Sequence, residues 1–335
     1  MECYKMGERM SKILFLRGAV PTDRDPKQIM FDNIDECDDM WTQLCRNMID
    51  IVGGSGEIWY LNGKRTVKYA DNFVERWLPN FTDSRHDFNP DIIFARGGFP
   101  FYDDVLRRHP NAFKIYYGAG FRRIPGKKQF RDFDLILVDT PKQLVKAKAE
   151  LPKHNIQLLI KPAADNIFSP AKYKCSKQYD VIMVGNYHKG VNKGHDFALP
   201  LLHEKFTMTV VGNIPEPLRN KYKRFSYKQW VPRKDIPRCY APAKVAIICC
   251  GKEDSCPRVI PEALACDCPI LSLSRVNFWK DKYINDQTGM VTSKEDFIKN
   301  LYHMVKHYED FSPYTFYNNN LSLKVSAQEI IGYAS

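Results

Sequence analysis

Short apolar runs recur along the whole chain and alternate with turns and stretches of helical spacing. No other feature restricts the fold as much. The alternation calls for α/β architecture, with mainly parallel sheets covered by helices. The apolar runs span residues 12–20, 57–61, 91–95, 113–117, 135–138, 156–160, 179–184, 207–211, 244–250 and 270–273. Helical spacing predicts helices over 35–50, 194–204, 259–266 and 295–308, with a short last one near 325–333. In the 295–308 segment, Phe297, Leu301, Met304 and Val305 share one face. The chain has 335 residues, too many for one ordinary core and enough for two domains of Rossmann size. The segment "KPAADNIFSP" at 161–170 is rich in small residues and proline. It predicts a boundary there, with an N-terminal domain over 1–162 and a C-terminal domain over 163–335 whose last helix is free to pack back on the first.

Charge and cysteine usage narrow the function classes. The formal net charge is +11 and the pI is about 9.0, which favours an anionic partner: a nucleotide sugar, a nucleic acid or an acidic membrane surface. No apolar run approaches the ~20 residues that a membrane helix needs. The start, "MECYKMGERMSK", has no apolar signal core. The ten cysteines have no framework spacing and read as free thiols of a reducing compartment. A cytoplasmic protein is therefore expected, with no membrane-spanning segment.

The segment at 253–271, "EDSCPRVIPEALACDCPIL", carries the most chemistry. It reads as an acidic loop, a helix and a strand. Asp254 in the loop and Glu262 just inside the helix both face the carboxyl edge of a sheet, where open α/β folds bind ligands. Residues Ser255, Cys256, Pro257, Arg258 and Val259 offer backbone N–H groups at the helix start, a site for a diphosphate. Taken alone, the two acids also fit a solvated loop carboxylate and a helix-dipole partner. The cluster Cys249, Cys250, Cys256, Cys266 and Cys268 matches no common zinc spacing and reads as buried thiols.

This segment resembles the glycosyl transferases of group 1 (family 4-like, of the GT-B fold), whose signature is an acid, seven residues, then Glu and an Ala-rich helix. Here Asp254 is followed by "EALACDCP" from Glu262. The acid is Asp where the family has Glu, and Asp267 stands where the family prefers Gly. Three other segments match in order. "VGNYHKGVNKGHDFALPLL" (184–202) is similar to a strand, loop, "KG" and helix, which matches Lys193 to the lysine on the donor diphosphate. Asn186 stands where the family usually carries Arg, and Lys189 or Arg258 is a candidate substitute. "KPAADNIFSP" is similar to the family's linker. "QWVPRKDIPRCYAPAKVAIICC" (229–250) is similar to the stretch against which the base lies, so Trp230 and Val231 are candidate base contacts. The first strand and its Gly18 loop match more loosely.

The resemblance implies two facing Rossmann-like domains with an interdomain cleft. It also implies a nucleotide-sugar donor (uridine- or guanosine-diphosphate linked) in the C-terminal half, Asp254 near the transferring sugar, Glu262 on the ribose, and retention at the anomeric carbon. Fixed cations and N–H groups would then serve the diphosphate with no metal cofactor. "DFD" at 132–134 precedes an apolar strand and reads as the start of that strand rather than a metal motif. The acceptor falls to the N-terminal half. Arg96, in the loop "RGGFP", and Tyr117, Arg122 and Arg123, in a basic and aromatic stretch over 107–131, are candidate acceptor contacts. They suit a polyanion such as modified DNA, or a lipid-linked glycan at a membrane; a solvated loop beside a buried strand is the plainer reading. A nucleic-acid-binding protein on a degenerate transferase fold and a nucleotide-sugar epimerase are the competing functions.

Overall fold

A computed structural model describes residues 11–17, 39–61, 65–78, 88–97, 102–118, 130–170, 173, 175–187, 193–251 and 257–334. Its strands are β1 (Lys12–Arg17), β2 (Ser55–Leu61), β3 (Arg65–Ala70), β4 (Phe73–Leu78), β5 (Ile92–Arg96), β6 (Phe113–Gly118), β7 (Leu135–Val138), β8 (Asn155–Leu158), β9 (Tyr179–Val184), β10 (Met208–Val211), β11 (Ser226–Lys228), β12 (Ala243–Ile248), β13 (Ile270–Leu273) and β14 (Gly289–Thr292). Its helices are α1 (Met40–Val52), α2 (Asp103–Arg108), α3 (Pro141–Glu150), α4 (His195–Leu202), α5 (Glu216–Lys221), α6 (Pro237–Tyr240), α7 (Val259–Ala265), α8 (Lys280–Tyr283), α9 (Phe297–Lys306), α10 (Pro313–Asn320) and α11 (Leu323–Ala334). The chain divides into two compact units, Met1–Ile160 with Leu323–Ser335, and Lys161–Ser322.

The first unit is an eight-stranded sheet in the order β3-β4-β2-β1-β5-β6-β7-β8. Its neighbours run parallel except for the edge hairpin β3–β4. In β1, Ile13, Leu14, Phe15 and Leu16 are all fully buried, as a central parallel strand covered on both faces requires; each such side chain contributes about 2 kcal/mol. Alternate residues supply the two faces. Leu14 and Leu16 join Ile93, Ala95, Tyr102, Leu106 and Phe130 on one side. Phe15 stacks on Phe94 at 4.5 Å beside Trp41 of α1 on the other. Helix α1 starts later than the sequence spacing implies, because Asp39 is its N-cap. The Asp39 carboxylate accepts from the Trp41 N–H at 3.4 Å and from the Thr42 hydroxyl at 3.1 Å. The last helix, α11, packs on α1, and Ser326 Oγ donates to the Ile160 carbonyl at 2.7 Å.

The second unit is a six-stranded parallel sheet in the order β11-β10-β9-β12-β13-β14. The first strand of this unit, β9, lies beside the fourth, β12, which is the Rossmann order with its switch point between them. Two buried tyrosines fasten the incoming chain: Lys161 N donates to Tyr283 Oη at 2.6 Å, and Ala163 N to Tyr317 Oη at 2.9 Å. The Tyr317 hydroxyl also bonds the Asp165 carboxylate. Among the described residues, no helix is long and apolar enough to cross a membrane.

Candidate functional site

At the switch point of the second sheet, two loops meet. Gly194 is the N-cap of α4 with φ 90°. A Cβ there would stand inside the Cβ and carbonyl of Cys249, just past the end of β12. Only glycine allows that approach, so the start of α4 sits directly on the end of β12. The preceding residue, Lys193, runs its aliphatic stem past Gly185, the first residue after β9. Asn186 occupies the position of the family's arginine, but its amide is a tie between loops. Its Oδ1 accepts from Asn213 N at 2.8 Å, while Tyr187 N donates to the Asn213 carbonyl at 3.0 Å.

Glu262 lies in the first turn of α7 and is 7% exposed. Burial raises its pKa above the ordinary glutamate value, against the opposing pull of Arg233, Arg258 and Lys161. Arg233 is the closest of the three, with Nη2 donating to Glu262 Oε1 at 3.3 Å and its guanidinium 6.0 Å from the Phe168 ring. Arg233 carries no signature of its own in sequence; three residues past Trp230, it was hidden in a stretch read only for the base. Arg275 is a second such residue: Nη2 donates to the Cys249 carbonyl at 2.9 Å, fixing the end of β12. Of the remaining donor-site residues, Pro257 is buried, Arg258 exposed and Val259 half-buried. Trp230 is 81% exposed and adopts φ 51°, while Val231 is half-buried. Asp254, Ser255, Cys256, Gly18, Lys189, Arg122 and Arg123 lie outside the described residues.

Asp267 has a structural reason. It is the C′ residue of α7 with φ 56°. Its N–H donates to Leu264 O at 3.1 Å and that of Cys268 to Ala263 O at 3.0 Å, a Schellman ending. Asp tolerates the left-handed region, and its Oδ1 accepts from Tyr314 N at 3.1 Å, capping the first turn of α10. The glycine of the family is thus replaced by a residue that supports a neighbouring helix.

In the first unit, Arg96 ends β5 with its guanidinium 4.6 Å from the Trp41 ring. Tyr117 is fully buried, its ring 4.5 Å from Trp41 and its hydroxyl bonded to Asp139. It shapes the core beneath that edge and offers no surface to an acceptor. Lys114, counted in the basic stretch by sequence, is also buried; it spends its ammonium protons on the carbonyls of Pro110 at 3.0 Å and Ala112 at 2.9 Å. Asp134 of "DFD" accepts from Lys114 N at 2.7 Å and so fastens the start of β7 to β6. Cys249, Cys266 and Cys268 are buried free thiols whose pKa values burial raises. Among the described residues, no three His, Cys, Asp or Glu side chains form a metal-holding group.

Comparison with known proteins finds a family resemblance in the second unit. The model of the glycosyl transferases group 1 matches residues 178–308, which lie wholly within the second unit. A search of curated proteins by sequence finds no match. Among solved structures, the chain resembles a glycosyltransferase from Rickettsia africae ESF-5 at 15% identity and TM-score 0.68, over 97% of each chain. It also resembles sucrose-phosphate synthase from Thermosynechococcus elongatus at 10% identity and TM-score 0.66, over 96% of this chain and 98% of that one. An α-glucosyltransferase solved with UDP and a 13-mer DNA containing an HMU base matches at 11% identity and TM-score 0.64, over 97% and 100%. The group 1 match thus covers the second unit, and the chain shares the GT-B fold of these solved structures over nearly its whole length.

Proposed function

We propose that this chain is a glycosyltransferase that takes its sugar from a uridine- or guanosine-diphosphate donor held by the second unit. It passes the sugar, with retention at the anomeric carbon and without a divalent metal, to a negatively charged acceptor in the cytosol. One observation carries the donor reading: Lys193 and Glu262 flank the switch point of the second sheet, one entering α4 after β9 and the other in the first turn of α7 after β12. In that reading Lys193 and the start of α4 meet the diphosphate, and Glu262, steadied by Arg233, accepts from the ribose hydroxyls. Charge developing on the leaving phosphate is met by fixed cations and N–H groups. Arg258 and the backbone from Ser255 to Val259 extend that anion site, Asn186 supports the loop beside it, Asp254 positions the sugar, and Trp230 with Val231 borders the base. Gly18 is the first unit's candidate contact to the donor. A neighbouring fold solved with UDP supports the choice of nucleotide.

The test is a thermal-shift panel of nucleotide sugars, because a specific ligand stabilises in proportion to its occupancy. The best stabiliser is then incubated in chelator and the product read by proton NMR. The proposal expects one nucleotide class to stand out and released nucleotide to appear with chelator present. A flat panel, or turnover only when a divalent ion is restored, contradicts it.

A further inference from the structure

The carboxyl edge of the first sheet carries a charge arrangement that the donor reading leaves unused. Strand β1 lies between β2 and β5, and the chain leaves it in opposite directions on the two sides. The gap between β1 and β5 is therefore the switch point of this sheet, the place where open α/β folds bind ligands. The last residues of these two strands are register partners, and both are arginine: Arg17 opposite Arg96. The pair sits two residues beyond the stacked Phe15 and Phe94 and on the same face, so an aromatic floor lies under it.

The two arginines are not equivalent. Arg17 is committed: its guanidinium pairs with Asp39 and bonds Tyr60 Oη. Burial pulls its pKa down, but Asp39 and Tyr60 more than offset that and leave it above the ordinary value. Arg96 is attracted by Tyr117, Asp39 and Tyr60, but the Asp39 carboxylate and the Tyr60 hydroxyl bond Arg17 instead. Its guanidinium lies over Trp41, and its buried Nε meets no hydrogen-bond acceptor among the described residues. Burial, and then repulsion from Arg17, pull its pKa down, and the attraction of Tyr117, Asp39 and Tyr60 offsets this only in part. Such a group costs the fold free energy and calls for a partner. Glu75 does not supply one, since its oxygens accept from the Trp77 indole at 2.7 Å and the Tyr69 hydroxyl at 3.1 Å. The first turn of α1, with Trp41 in it, adds the positive end of a 13-residue helix to the same place.

We propose that Arg96, seconded by Arg17, binds a terminal phosphate group carried by the acceptor, with Trp41 holding the Arg96 fork flat beneath it. A planar guanidinium takes a phosphate through two parallel hydrogen bonds. The side chain of Arg17 is 16% exposed and that of Asp39 25%, so the site is recessed. That depth favours a compact terminal phosphate over the continuous backbone of a nucleic acid. This inference rests on the proposed sugar transfer and on the expectation from sequence that the acceptor falls to the N-terminal half.

The test is protection from phenylglyoxal, read residue by residue by mass spectrometry on the full chain. Inorganic phosphate should slow modification of Arg96 and Arg17 and leave the exposed Arg107 unaffected. Equal rates at Arg96 with and without phosphate overturn the proposal. Glucose 6-phosphate should protect at least as well as inorganic phosphate; protection by a single-stranded oligonucleotide lacking a terminal phosphate, with none by glucose 6-phosphate, overturns the assignment to a terminal group. In Arg96→Gln the concentration of phosphate needed to protect Arg17 should rise about tenfold, the scale of a lost charged hydrogen bond; no change overturns the role of Arg96. Should that variant not fold, protection in the unaltered chain decides alone. Failure of the donor reading shows separately, as absence of nucleotide binding with arginine protection intact.

Discussion

The two sheets of this protein solve the same topological problem with different chemistry at their switch points. In the second, the edge between β9 and β12 is stripped to backbone: Gly185 follows β9, Gly194 opens α4 against Cys249, and Lys193 stands between them. In the first, the edge between β1 and β5 is crowded with side chains: Arg17, Arg96, Trp41 and Tyr60. Under the proposed function, backbone donors would serve the diphosphate shared by nucleotide sugars, and side chains would distinguish one acceptor from another. The family match follows the same division, since it covers only the unit built on backbone.

The largest expected effect breaks the comparison at its glycine. Gly194→Ala should cost the fold about 3 kcal/mol or more, from a left-handed alanine and its collision with Cys249; urea unfolding measures it. A cost under about 0.5 kcal/mol would mean that the close approach of α4 to β12 is not tight. Next comes the buried acid. Because burial raises the Glu262 pKa above 4.5, the carboxylate is lost at a higher pH than in an ordinary glutamate. Donor affinity should fall as pH drops through that raised value, and Glu262→Gln should be weak and flat across the same range, by titration calorimetry. The stability term has the opposite sign: the proton on Glu262 favours the folded state, and this contribution is lost as pH rises through its folded pKa. The smallest effects sit at Asp267. Asp267→Ala should lose about 1–2 kcal/mol, because it keeps the left-handed strain and removes the α10 cap. Asp267→Gly should fall within about 0.5 kcal/mol of the parent, because relief of strain offsets the lost cap. A large loss in Asp267→Gly would mark the cap as the dominant role.

Four strands of the second unit, β9, β10, β12 and β13, were legible because each is a mainly apolar run closed by glycine or a polar turn, and β9 and β13 coincide with their expected bounds; the edge strands β11 and β14 are short and lack such a run. The hairpin β3–β4 was not legible. Its strands mix buried with half-buried or exposed residues at a sheet edge, and Arg65, Lys68, Glu75 and Arg76 break the apolar pattern. Helix α3 was missed for another reason: its stability is local, a capping box in which Thr140 and Gln143 satisfy each other's backbone N–H groups. At the site, Lys193 and Glu262 stand in motifs and could be named from sequence. Arg96 could be named from its loop, but Arg233, Arg275 and the pairing of Arg96 with Arg17 could not, because each owes its place to a partner far along the chain: Glu262, Cys249 and, for the pair, the register of two strands.

The central claim is that the second unit grips a nucleotide diphosphate between Lys193 and Glu262. Titrating the best-bound nucleotide sugar into the parent chain, Lys193→Ala and Glu262→Ala tests it most directly. The account predicts that each substitution weakens binding by about tenfold or more, the scale of one charged hydrogen bond, with the fold retained. Parent-like affinity in both variants would contradict it.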